Sequence, residues 1–506
     1  MAIDRYRFLM KSKILNNLPF FILLAGGVIL IFIYQFWIPT LYGADGYLHI
    51  RMAEFIKQYG FKYDFVWAKF STFADHFSDK DFLYHLLLIP FTFFKNIFWG
   101  AKLAAAIFAS VLFFGYAWLT KKIINKYLAP LALAAFFGSG VFLEAISNPR
   151  PTSLVILADL FLIYFTIKKK YWWLFGLAVA YNLGHVTGPL AVGFVFIAEI
   201  IRFFNHQKFN YKTLAFAAAG AAVGILIHPN FPNNILVFYL NSILVPLLAA
   251  KGGVLEFGAE FFPITTREIF SAYPVVIFGI FSFFITAGFA KNQVKFSTKV
   301  YLAFAAIFFV AALSGRRYFI QGYPIILLAL FSYFSDIIPD KFILKNFIKS
   351  KKITAAVIAL LLAVSLYWLS VNTYQYARYN ALSNRIYNDH YERIGNWMAK
   401  NLPPGQTIFH ANWSDSQFFI GLNPKDYYFV TLDPIYMYYK NKERYQLYRD
   451  IAFGKTEDPY TELKKFGVNF GYASKNYFGG LITQLRNDDR FQVLAEDNFG
   501  LIFMIK

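Results

Sequence analysis

The chain is patterned by long apolar runs. Stretches of roughly 17–25 nearly uncharged residues, long enough to cross a bilayer, recur between Leu18 and Val371. The first, Leu18 to Leu41, is preceded by Arg5, Arg7, Lys11 and Lys13, which hold the N-terminal side in the cytoplasm. It is too long for a cleaved signal peptide, lacks a small-residue cleavage site, and reads as a retained helix. Basic clusters follow at Lys121, Lys122 and Lys126, at Lys168 to Lys170, Arg202 to Lys212, Lys291 to Lys299, and Lys341 to Lys352. Each marks a cytoplasmic turn. The hairpins between them place the segments around Asn148–Arg150, around His185, from His228 to Ser271, around Arg316 and Arg317, and everything after Ser370 outside. This parity requires that Phe82 to Trp99 does not cross, and its Pro90, His85 and Lys95 suit a helix lying along the outer interface. The pattern predicts a polytopic α-helical membrane protein with about eleven spanning helices.

From about Leu382 charge rises, turn signals appear and apolar runs shorten to strand length. Thr407–His410, Tyr427–Leu432, Val468–Ala473 and Leu501–Ile505 read as strands, and Tyr391–Asn401 and Thr461–Phe466 as helices. The expected division is a transmembrane part, residues 1–380, and a small extracytoplasmic α/β domain, residues 381–506. No internal repeat of the kind found in secondary transporters is evident.

Composition agrees. The 506 residues are 58% hydrophobic and only 15% charged, with 62 Phe. These values exclude a disordered chain and an ordinary cytosolic globule. With 0 Cys there is no disulfide, zinc thiolate or thiol nucleophile. The net charge of +20 fits positive-inside topology and anionic membrane lipids, or a surface for a phosphorylated lipid. Nucleic acid is not an expected partner, because the cations cluster at the ends of apolar runs.

Candidate chemistry gathers on the outer side. Directly after the first helix, Asp45 and His49 stand one helical turn apart, with Tyr47 and Arg51 as the neighbouring pair. The same loop carries Asp75, His76, Asp79, Asp81 and His85. Helix caps and interfacial anchors are the bland reading; a carboxylate beside glycine and an imidazole also suits proton abstraction from a hydroxyl. Arg150, between Pro149 and Pro151, is either a snorkelling helix-end cation or a bidentate phosphate ligand. His185 lies near Gly184 and Gly188, as a site residue or a satisfied helix end. Glu260 sits in an apolar, aromatic stretch where an unpaired carboxylate is costly, as a site residue or simply as a helix cap. The paired Arg316 and Arg317 on the outer side run against the positive-inside tendency and point to an anionic partner. In the C-terminal domain, Asn412–Asp415 and Leu432–Pro434 are polar enough for carbohydrate contact, or simply form turns. There is no P-loop, Rossmann fingerprint, HExxH motif or nucleophile elbow. Arginines for a phosphate and carboxylates for an incoming hydroxyl or amide fit group transfer from a lipid phosphate.

The segment Gly43-Ala44-Asp45-Gly46-Tyr47-Leu48-His49-Ile50-Arg51 resembles the first-loop acidic motif of GT-C membrane glycosyltransferases, and is closest to the form in oligosaccharyltransferase catalytic subunits. Glu260-Phe261-Phe262-Pro263 is similar to the Glu-x-x-Pro segment of their long fifth external loop. Ser314-Gly315-Arg316-Arg317-Tyr318-Phe319, with Pro324, is similar to their arginine-bearing hairpin facing the lipid-linked phosphate. The resemblance covers the membrane part. It implies a GT-C fold, a polyprenyl-phosphate-linked sugar donor, inversion at the sugar, Asp45 and Glu260 as catalytic carboxylates, and Arg316, Arg317 and Arg150 at the donor phosphate. His49, Arg51, Asp79, Asp81, His85 and His185 are further site candidates. A divalent cation, Mg2+ or Mn2+, is a possible cofactor, with Asp45 and Glu260 as its ligands.

The sequence departs from the resemblance in its C-terminal domain. The Trp-Trp-Asp-Tyr-Gly string of oligosaccharyltransferases is absent, and the nearest segment is Asn412-Trp413-Ser414-Asp415-Ser416-Gln417. A glycan, lipid or cell-envelope polymer is therefore the expected acceptor. Protein glycosylation is the first alternative, and a non-enzymatic lipid-glycan transporter or scaffold the second.

Overall fold

A computed structural model of the chain describes residues 2–253, 255–288, 294–338 and 352–506. Among the described residues, four helices are long and apolar enough to cross a membrane: Leu18–Gln35, Ile97–Ile123, Asn233–Lys251 and Arg317–Ile337. Two bent pairs, Ala129–Phe136 with Gly140–Ser147 and Thr266–Ala272 with Pro274–Ala287, raise the number to six. The expected eleven is not reached by this criterion. Thr152–Ile167, Tyr211–Leu226 and Phe296–Ala312 are apolar but of only 16, 16 and 17 residues. The basic cluster at Lys341 lies outside the described residues, as does Lys291.

The chain shuttles between two ends. Ile97–Ile123 and Thr152–Ile167 both finish at lysines, and Tyr171–Gly184 returns from Lys170 to His185. Phe82–Phe93 is a short apolar helix of 12 residues, about 18 Å long and too short to cross. Two boundaries differ from the sequence reading. The first helix ends at Gln35 rather than Leu41, since Pro39 disfavours helical geometry at the residue before it. Within the His228–Ser271 stretch, read as a loop, stands the 19-residue helix Asn233–Lys251.

A 50-residue helix, Lys352–Asn401, joins the membrane bundle to the C-terminal domain. At 1.5 Å per residue it is about 75 Å long. The expected boundary at residue 380 falls inside it. Ala377 and Ala381 pack on Tyr34, Ile38 and Tyr42 at the end of the first helix. One turn further on, Asn384 Oδ1 accepts the Gly43 N–H at 2.8 Å, while its Nδ2 donates to Glu144 Oε1 at 2.7 Å. Asn388 Nδ2 donates to the Leu41 and Gly43 carbonyls at 2.8 and 3.2 Å.

The C-terminal domain contains a mixed five-stranded sheet of order β2-β1-β3-β5-β4. The strands are β1 Thr407–His410, β2 Tyr427–Tyr428, β3 Val468–Ser474, β4 Phe491–Glu496 and β5 Gly500–Ile505. β1 pairs in parallel with β2 and β3, and β5 pairs antiparallel with β3 and β4. The domain does not fold around a private core. Its Phe418, Phe419, Tyr428 and Tyr436 share one apolar cluster with Tyr47, Phe55, Trp67 and Phe73 of the segment that follows the first helix.

Asn388 is fully buried and satisfies two backbone carbonyls that position this segment. Replacing it by Ala is expected to lower stability by about 1–3 kcal/mol, the cost of unsatisfied buried acceptors. The check is the thermal transition of the purified protein, where an unchanged midpoint is the contrary result.

Candidate active site

Asp45 is the first residue of the helix Asp45–Tyr59. It reaches a common cleft because the chain before and beside it can approach closely. Gly43 has φ +66°, a left-handed conformation that glycine adopts without penalty. A Cβ on Gly43 would strike the Asn148 side chain, and one on Gly46 would stand 2.9 Å from the Pro149 ring. The turn Asn148–Pro151 therefore lies directly on the helix start. It is tight: the Arg150 N–H donates to the Asn148 carbonyl at 2.7 Å. Arg150 Nη1 then lies 3.3 Å from Asp45 Oδ2 and 3.5 Å from Glu260 Oε2.

Glu260 belongs to a one-turn 3-10 helix, Ala259–Phe261, clipped to the hairpin before Arg317–Ile337. The Arg316 N–H donates to the Phe262 carbonyl at 2.9 Å, and the Ile264 N–H to the Ala312 carbonyl at 3.1 Å. Arg317 Nη1 stands 3.8 Å from Glu260 Oε1, and its guanidinium lies 4.2 Å from the centre of the Phe261 ring. Adjacent helix-start residues point in different directions. Arg316 accordingly pairs with Glu268 Oε1 at 2.7 Å, and Glu268 completes the capping box with Thr265. Four of the predicted residues, Asp45, Arg150, Glu260 and Arg317, thus meet in one half-exposed cleft; Arg316 is held beside it by another carboxylate.

The first-loop residues divide. Asp79 and His85 are buried, with His85 Nδ1 2.7 Å from Asp79 Oδ2 and His85 Nε2 2.7 Å from His49 Nδ1. Against an Asp79 carboxylate, His85 donates through Nδ1 and accepts the His49 Nδ1–H at Nε2. Asn230 and His228 hold the Asp79 backbone at 3.1 Å each. Asp81 is buried beside His185, Oδ1 to Nε2 3.8 Å. Arg51 is elsewhere: it bonds Glu54 and the Gly421 carbonyl, on the wall of a separate cavity of about 730 Å³ that includes Lys102 and Glu392.

Residues outside the predicted set complete the cleft. Burial alone would depress the Lys80 ammonium, but Asp81, then Tyr436, Asp45 and Asp433, outweigh it and hold its pKa above the ordinary lysine value. Asp433 caps the helix Pro434–Lys440 by accepting the Ile435 N–H at 3.0 Å, and burial pushes its carboxyl up to about 6. Burial, then Lys80, Arg317 and Arg150, drive His185 down to about 3, so its imidazole is neutral. Lys80 was legible by the argument that singled out Arg316 and Arg317: a cation in a loop where cations are not expected. Lys80 and His185 also line a cavity of about 250 Å³, together with Asp79 and His228 and the apolar side chains of Ile225, Val237 and Phe238. In the domain string Asn412–Asp415, Asp415 is buried and accepts the Tyr391 hydroxyl at 2.6 Å, while Trp413 lies beside Gly258 in the Glu260 loop.

No family model and no curated protein matches this sequence. Solved structures do match. The apo oligosaccharyltransferase of Archaeoglobus fulgidus superposes with TM-score 0.66 at 12% identity, over 90% of this chain and 69% of that one. The same enzyme, AglB, in complex with an inhibitory peptide and a dolichol-phosphate gives 0.62 at 10% identity, over 97% and 74%. ArnT from Cupriavidus metallidurans bound to undecaprenyl phosphate gives 0.57 at 12% identity, over 95% of this chain and 97% of that one. These are GT-C glycosyltransferases, and the chain has the GT-C fold. At such identities the likeness is one of architecture.

Asp81 sets a pH dependence. Burial, partly offset by Lys80, pushes its carboxyl from 3.8 up to about 6. Between those values the folded protein keeps a proton that the unfolded chain has released, so stability falls as pH rises through this window. The loss across this window is up to about 3 kcal/mol. Asp81→Asn is expected to flatten the decline in melting temperature from about pH 4 to pH 6; a variant that tracks the wild type across that range contradicts the assignment.

Proposed function

We propose that this protein is an integral-membrane glycosyltransferase that transfers a sugar from a polyprenyl-phosphate-linked donor to an extracytoplasmic acceptor, inverting the anomeric carbon. The observation that carries the proposal is the meeting of Asp45, Arg150, Glu260 and Arg317 in one cleft, with Lys80 and His185 beside it lining a cavity that also has apolar walls. The donor phosphate lies against Arg317 and Lys80, with its prenyl chain along Ile225, Val237 and Phe238. The bound dolichol-phosphate of AglB and undecaprenyl phosphate of ArnT support this class of donor.

Asp45 accepts the proton of the acceptor hydroxyl as that oxygen attacks the anomeric carbon. The bond from that carbon to the phosphate oxygen breaks on the opposite face, and the phosphate departs with the electron pair. Arginine and lysine cations aimed at the oxygen that gains charge lower the barrier in a partly dehydrated site. Neutral His185 offers hydrogen bonding without a competing charge.

The acceptor is a glycan, lipid or cell-envelope polymer. Asp415, in the segment that stands nearest the missing protein-recognition string, is buried and bonded to Tyr391, so it is not open to a peptide hydroxyl. The chain also matches ArnT over 97% of that protein's length but AglB over 69–74%.

With the protein in nanodiscs and a panel of polyprenyl-phosphate sugars, Asp45→Asn is expected to lower turnover by about 10²–10⁴-fold while leaving donor binding intact. Arg317→Ala should instead weaken donor binding, by about tenfold or more. Wild-type turnover in Asp45→Asn would strip Asp45 of its catalytic role, while a wild-type protein that binds donor and transfers no sugar across the panel would sink the enzymatic reading and favour transport or scaffolding.

A further inference from the structure

Asp45 and Glu260 are the residues to which the sequence resemblance assigns a divalent cation, but their carboxylates already share a cation. Arg150 Nη1 lies within 3.5 Å of both, and Arg317 approaches the other oxygen of Glu260 at 3.8 Å. A Mg2+-sized ion bonds oxygen at about 2.0–2.1 Å and needs near-octahedral space. Between these oxygens it would compete with the guanidinium for the same lone pairs, and two neighbouring cations repel. Nor is the guanidinium free to leave. Its backbone is fixed between Pro149 and Pro151, its N–H donates to the Asn148 carbonyl at 2.7 Å, and the Pro149 ring rests against Gly46. Among the described residues, no group of three or more His, Asp or Glu is arranged to hold a metal ion. The residues present do not fit a divalent ion.

We infer that Arg150 is the resident cation of this cleft, occupying the position between Asp45 and Glu260 that a divalent metal would otherwise take, and that the site binds no metal there. The guanidinium neutralises the paired carboxylates and orients Asp45. It is a positioning residue for Asp45, and unlike an exchangeable ion it cannot be removed by chelation. The inference concerns the same cleft as the proposed transfer, but its readout is metal binding, so it stands or falls whether or not sugar transfer is found.

The experiment is Mn2+ titration followed by electron paramagnetic resonance, on the full chain in nanodiscs after dialysis against chelator. The wild type is expected to bind no Mn2+ that Asp45→Asn removes. Arg150→Ala is expected to gain a single Mn2+ site per chain, lost again when combined with Asp45→Asn. Wild-type binding abolished by Asp45→Asn overturns the inference. So does a folded Arg150→Ala protein that gains no site, because something other than the guanidinium then excludes the ion. If Arg150→Ala does not fold, Arg150→Gln takes its place, and if neither folds the wild-type comparison with Asp45→Asn decides alone.

Discussion

The bridge from Arg150 to Asp45 and Glu260 is the constraint on which the cleft depends. Two carboxylates brought together in a half-exposed pocket repel each other, and without a cation between them they would separate or take up a proton. A guanidinium suits this bridge because its planar donors can serve two acceptors at once and it does not lose its charge. The arrangement draws together parts of the chain distant in sequence: the start of the helix Asp45–Tyr59, the turn Asn148–Pro151 and the Glu260 loop. It is possible only because Gly43 and Gly46 present no side chain to Asn148 and Pro149. Bulk at either glycine would push the arginine away before its charge could act.

Such a bridge needs a rigid frame, and the frame is built from the far end of the chain. The helix Lys352–Asn401 carries Asn384 and Asn388 past the end of the first helix, where they hold the backbone at Leu41 and Gly43 just before Asp45. On the other side, Arg317 and the backbone bonds from Arg316 and Ile264 fix the Glu260 loop. The Glu256 N–H donates to the Tyr445 hydroxyl at 3.2 Å, and the Glu256 carboxylate pairs with Arg449 at 3.3 Å, which ties the same loop to the C-terminal domain. Asp45 and Glu260 are thus positioned by contacts on both sides of the cleft.

The membrane character and the convergence of Asp45, Arg150, Glu260 and Arg317 were legible in the sequence because each leaves a local signal: an apolar run, a carboxylate between glycines, an arginine between prolines, a paired cation set against the charge pattern; the GT-C fold was legible through the resemblance of those segments to a known family. What was not legible depends on partners. Arg316 and Arg317 are indistinguishable in one dimension, and only the helix start turns one to Glu260 and the other to Glu268. Asp79 and His85 use their side-chain polar atoms on each other, on His49 and on the Asp81 N–H, partners that the sequence does not reveal. Helix Asn233–Lys251 was hidden in a long stretch read as a loop by the Pro and Asn residues at its start. β4 lies at the sheet edge, where burial does not impose a clear alternation.

The C-terminal domain completes the cleft rather than hanging from it. Leu432 has φ +66°, a left-handed backbone that costs a non-glycine residue about 1 kcal/mol or more. That turn ends the extended run after β2, and the next residue is Asp433, whose charge acts on Lys80. The turn is held from outside: the Leu432 N–H donates to Ser416 Oγ at 3.2 Å, and its carbonyl accepts from Gln417 Nε2 at 3.1 Å. Ser416 and Gln417 lie on the helix Asp415–Leu422, whose Phe418 packs against Tyr47, two residues from Asp45. The strained turn and the helix that bears Asp45 are therefore anchored to the same element. Since the domain and the first-loop segment share one apolar core, displacing the domain would expose Tyr47 and take Asp433 away from Lys80 together, leaving Lys80 with Asp81 and Asp45. The physical coupling runs from a strained leucine to a carboxylate, and it makes residues 407–506 part of the site's architecture.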